Sequence, residues 1–73
     1  MTQARFTIIV DGGVLQAVVS HDPALIGVEF DLIDYDTEGA EDDRLGQIKQ
    51  ASGELETAFI GGGIVEKQAV EIV

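Results

Sequence analysis

Arg5-Phe6-Thr7-Ile8-Ile9-Val10-Asp11-Gly12-Gly13-Val14-Leu15-Gln16-Ala17-Val18-Val19-Ser20 sets two apolar, β-branched runs on either side of an Asp-Gly-Gly step. β-Branched side chains suit the pleated backbone of a strand. An Asp-Gly or Gly-Gly pair between two such runs is the strongest short signal for a hairpin, since the favoured two-residue turn needs positive φ at both central positions. The spacing therefore predicts strands over 5–10 and 14–20 joined by a tight turn. Alternation puts Phe6, Ile8 and Val10 on one face, and simple pairing across the turn brings Leu15, Ala17 and Val19 onto it. That shared face is the expected start of the core.

Downstream, Asp22 before Pro23 is a natural N-cap followed by a proline at the first helical position, so one helical or 3₁₀ turn is expected, ending at Gly27. Residues 28–35 form a third strand, with Val28, Phe30 and Leu32 on one side and Glu29, Asp31, Ile33 and Tyr35 on the other. An acidic loop over 36–43 follows. Residues 40–45 suit a single turn, with acids at its positive end and Arg44 near its negative end. Residues 47–50 and 54–60 read as a fourth and a fifth strand around a turn at 51–53, and Gly61-Gly62-Gly63 as a break. Val65, Ala69, Val70, Ile72 and Val73 recur at helical spacing, favouring a short terminal helix, with a sixth strand as the alternative. The expected fold class is α+β: a small antiparallel β-rich domain of about five strands with a short C-terminal helix over one face. Its core is expected to hold Phe6, Ile8, Val10, Leu15, Ala17, Val19, Phe30, Leu32, Phe59 and some of the tail.

Seventy-three residues make one domain, 1–73. A chain this short buries only about 60% of its unfolded surface. It has no cysteine, so neither a disulfide nor a thiolate zinc site staples it. A well-packed core or a partner subunit must compensate, which places a homodimer among the expectations.

The formal charge of −10 sets fourteen Asp and Glu against Arg5, Arg44, Lys49 and Lys67. Such a balance repels phosphate backbones and anionic membrane surfaces. It favours a basic protein partner, a cation, or solubility alone. A hydrophobic content of 45% argues against disorder. The opening Met1-Thr2-Gln3-Ala4-Arg5 leads into the brief apolar run Ile8-Ile9-Val10, too short for a leader core or a membrane span, so a cytoplasmic setting is expected.

The sharpest chemical pattern is Asp34-x-Asp36-x-Glu38-Gly39. It matches the first half of a calcium loop, with oxygens at positions 1, 3 and 5 and glycine at 6. The second half departs from it: Leu45 stands where a bidentate Glu belongs, and Glu41 where an apolar residue pairs loops. Paired carboxylates do acid–base work only in a cleft that separates their pKa values, and a chain this small has little room for one. His21 has no nucleophile-elbow sequence beside it. Gly61-Gly62-Gly63 lacks the Lys and Ser or Thr of a phosphate loop. No catalytic residue and no cofactor are expected.

What remains is the acidic surface as a whole: Glu29, Asp31, Asp34, Asp36, Glu38, Glu41, Asp42 and Asp43, eight of the fourteen acids. Carboxylates spaced along a strand and loop imitate nucleic-acid charge, and small acidic proteins occupy basic channels by steering and complementarity. The plain reading is that acidity keeps a β-rich protein soluble and blunts its edges.

Val10-Asp11-Gly12-Gly13-Val14-Leu15-Gln16 together with the run from Ile33 to Asp43 resembles a loosely defined set of small bacterial proteins of plasmids, phages and genomic islands. That set has a GGVxQ hairpin and an acidic DYDxEGA stretch. The likeness covers the chain as far as Leu45. It implies a β-scaffold with an acidic loop and assigns no mechanism. Three functions stand as expectations: a non-catalytic interaction or regulatory module acting through the acidic surface, including an inhibitor that mimics nucleic-acid charge; a calcium-binding domain centred on Asp34, Asp36 and Glu38; and a homo-oligomer subunit without ligand.

Overall fold

The computed structural model describes residues 4–73; Met1-Thr2-Gln3, part of the opening read above for a leader, lies outside the described residues. Six strands follow in chain order: β1 (Thr7–Asp11), β2 (Val14–Ser20), β3 (Glu29–Asp34), β4 (Leu45–Lys49), β5 (Leu55–Ile64) and β6 (Glu66–Lys67). They form two three-stranded sheets, ordered β1-β2-β6 and β3-β5-β4. Strands take up 50% of the described residues and helix 4%, the latter a single 3₁₀ turn at Asp42–Arg44. The fold is mostly β, which corrects the α+β expectation. Among the described residues no helix is long and apolar enough to cross a membrane. The chain divides into two compact units, Met1–Phe30 with Gly63–Val73, and Asp31–Gly62.

In the first unit, Gly12 and Gly13 both take positive φ, 59° and 78°, and turn β1 antiparallel onto β2 as the Asp-Gly-Gly step predicts. The pairing departs from simple alternation. Asp11 faces Val14 and Val10 faces Leu15, but Ile9 faces Ala17, so Gln16 is an extra residue in β2. A bulge of one residue exchanges the faces of everything beyond it. Ala17 and Val19 thus side with Ile9 and Thr7, while Phe6, Ile8 and Val10 lie 53%, 59% and 59% exposed. Their place in the expected core is corrected.

The buried residues of this unit are Val18, Val19, Ser20 and Val65. Ser20 is wholly buried because its hydroxyl is satisfied: Oγ donates to the Arg5 carbonyl at 2.6 Å and accepts from the Asp22 N–H at 3.0 Å. Val65 is fixed by its backbone, donating to the Val28 carbonyl (2.8 Å) and accepting from the Gly27 N–H (2.7 Å). Between them runs the turn begun by Asp22, whose Oδ1 accepts the Ala24 N–H at 2.9 Å and whose carbonyl accepts from Leu25 and Ile26.

The C-terminal helix is absent from this structure. Glu66 and Lys67 lie parallel to β2, opposite Val19 and Ser20, and the Gln68 N–H donates to the Ser20 carbonyl at 2.9 Å. From Gln68 to Val73 the chain has no regular structure. A helix of so few residues gains too few hydrogen bonds to offset its nucleation, whereas a ready strand offers partners at once.

In the second unit β4 runs antiparallel to β5, from Leu45 opposite Phe59 to Lys49 opposite Leu55. Ala58 is fully buried opposite Gly46, over which the end of the Ile60 side chain lies. Gly61-Gly62-Gly63 does not break the chain but continues β5. The glycines leave room for aromatic rings: a Cβ on Gly61 would stand 3.2 Å from the Phe59 ring and, in the first unit, one on Gly63 would stand 3.3 Å from Phe30. Rings over strand glycines restore packing that the missing side chains would forfeit.

Candidate interaction surface

Along β3 exposure alternates, with Glu29, Asp31 and Ile33 exposed and Phe30, Leu32 and Asp34 half-buried. The period of two thus sets the carboxylates of Glu29 and Asp31 toward water, as their spacing predicts. Glu29 belongs to the first unit and the other seven expected surface acids to the second.

After β3 the chain is held by its own acids. Asp34 Oδ1 accepts the Asp36 N–H at 2.9 Å, and Asp36 Oδ1 accepts the Glu38 N–H at 3.2 Å. These are successive Asx turns, in which a short carboxylate replaces a backbone acceptor two residues back. Gly39 follows with φ 78°, and the Ala40 N–H donates to the Thr37 carbonyl at 3.1 Å. The 3₁₀ turn then places Asp42 and Asp43 in its first turn and Arg44 in its last, with the Arg44 N–H on the Glu41 carbonyl at 3.0 Å. Glu38, Glu41, Asp42 and Asp43 are all exposed.

The arrangement is a fixed loop of unneutralised charge. The approach of His21 Nε2 to Glu71 Oε1 at 3.9 Å, found among the described residues, involves none of these acids. Asp34, Asp36 and Glu38 follow one another along the loop, and no group of three or more His, Cys, Asp or Glu side chains that could hold a metal ion is found among the described residues. In Asp34 and Asp36 one carboxylate oxygen is already engaged by an amide. The Asp-x-Asp-x-Glu spacing that evokes a calcium loop is equally the spacing of repeated Asx turns, and that second signal was available in the sequence.

His21 is exposed and caps nothing; the Asp22 N–H turns to Ser20 instead. With Arg5, Asp22, Gln68 and Glu71 it borders an open concavity of about 1060 Å³ in the first unit. Ser20 is absent from the expected core, although a small hydroxyl at the end of an apolar strand is a recurrent place for a buried hydrogen bond. Comparison with protein families, with curated proteins and with solved structures finds no match.

Proposed function

We propose that the protein is a non-catalytic interaction module, working in the cytoplasm, whose acidic loop docks on a basic surface of another protein. The observation that carries this reading is the density of charge in the second unit and the hydrogen bonding of the loop that bears it. Nine acids stand there against Arg44 and Lys49, a net charge of −7. The loop from Asp34 to Arg44 is braced by four hydrogen bonds of its own, through Asp36, Glu38, Ala40 and Arg44. Fixed charges steer a partner and lose little freedom when they meet it. The narrower form of the proposal is that the loop imitates nucleic-acid charge and blocks a nucleic-acid-handling complex.

The test replaces Asp34→Asn, Asp36→Asn, Glu41→Gln and Asp42→Asn together. Asn keeps the Oδ1 acceptor that the Asx turns need, so charge is removed while the loop is spared. A basic protein captured from host lysate by the native chain should be released as salt rises, and the neutralised chain should fail to retain it. Equal retention by both chains refutes the proposal.

A further inference from the structure

We infer that the outer edge of β1 is a pairing surface for a second copy of this chain, joining two β1-β2-β6 sheets across a two-fold axis at Ile8. The four outer strands of the two sheets are unequal. β6 is only two residues long, β3 carries Glu29, Asp31 and Asp34, and β4 ends in an exposed Lys49. Shortness and charge are the ordinary means by which sheet edges avoid one another. β1 is charged only at its turn end, by Asp11; unlike β4, whose Leu45 and Ile48 are half-buried, it leaves Phe6, Ile8 and Val10 more than half exposed along the uncharged run Thr7-Ile8-Ile9-Val10.

The stretch is also complementary to itself. Laid antiparallel about Ile8, it sets Ile8 against Ile8, Phe6 against Val10, Thr7 against Ile9 and Arg5 against Asp11 of the second copy. Phe6, Ile8 and Val10 of both copies then share one face in a continuous apolar row. At each end a cation meets the hairpin's single acid. Sliding the register by one residue sets Phe6 against Ile9 or Asp11, parts Arg5 from Asp11 and joins unlike faces. Arg5 is already held alongside β2 by the Ser20 hydroxyl on its carbonyl.

Charge decides where a second copy can approach. Two chains of −10 repel, but between Ala4 and His21 the only acid is Asp11, offset by Arg5. The hairpin is the place where two such chains meet with least repulsion, and the interface is isologous, as closed dimers require.

The test is sedimentation equilibrium of the full chain over a wide concentration range. A mass approaching twice 7.8 kDa is expected, with association strengthening as salt screens the remaining repulsion. Ile8→Lys should abolish the dimer while circular dichroism stays unchanged, because Ile8 is exposed in the single chain. Arg5→Asp alone and Asp11→Arg alone should each weaken it, and the two together should restore it by exchanging the pair. A native chain that stays monomeric at the highest concentration overturns the inference, whether or not another protein covers the strip. So does a dimer indifferent to Ile8→Lys, or a double exchange that fails to recover what each single change lost.

Discussion

The β1–β2 hairpin and the loop after β3 use one short chain for opposite chemistries. From Ala4 to His21 there is one acid; from Asp31 to Asp43 there are seven. The hairpin leaves apolar side chains in water along its outer strand, whereas the loop leaves carboxylates there and uses two of them to fix its own backbone. The lesson concerns where order comes from. In the first unit it comes from closed backbone pairing around the buried residues Val18, Val19, Ser20 and Val65. In the second, Ala58 is the fully buried residue, and the loop beside the sheet is held by local carboxylate turns that cost no burial.

The contrast can be broken most severely at Ala58. Ala58→Asp places an unpaired charge at a site with no exposure, and a loss of about 4 kcal/mol is expected in thermal or urea unfolding. Ser20→Ala tests the other unit. It removes the donor to the Arg5 carbonyl and the acceptor of the Asp22 N–H, for an expected loss of about 2 kcal/mol by the same measurement. The charge of the loop should act in the opposite direction. Neutralising Asp34, Asp36, Glu41 and Asp42 as above should raise Tm by about 4 °C at low salt, and the gain should vanish at high salt as screening removes the self-repulsion. A gain that persists at high salt would mean that packing, and not charge, limits this region.

Much of the strand layout was legible in the residues. The Asp11-Gly12-Gly13 turn, the third strand, the 3₁₀ turn ending at Arg44 and the pair around residues 51–53 all follow from local patterns. The illegible parts share a cause, which is that distant partners decide them. Nothing near Gln16 announces a bulge, and that single residue moves Ala17 and Val19 off the face of Phe6, Ile8 and Val10, which lie exposed. The tail follows β2 because Ser20 and Val19 offer it a partner, against its weak helical period. Gly61-Gly62-Gly63 stays in a strand because Phe30 and Phe59 cover it. Of the surface, the exposure of Glu29, Asp31, Glu38, Glu41, Asp42 and Asp43 was readable from alternation and loop composition. The engagement of Asp34 and Asp36 with backbone amides was hidden behind a more familiar calcium spacing.

If the two regions serve two partners by two forces, salt separates them. The direct measurement is sedimentation velocity of the native chain mixed with the basic protein it captures, at low and at high salt. Raising salt should dissolve the mixed complex while the chain's own dimer persists or tightens. A mixed complex that survives high salt, or a dimer lost in step with it, would refute the assignment of two partners to two forces.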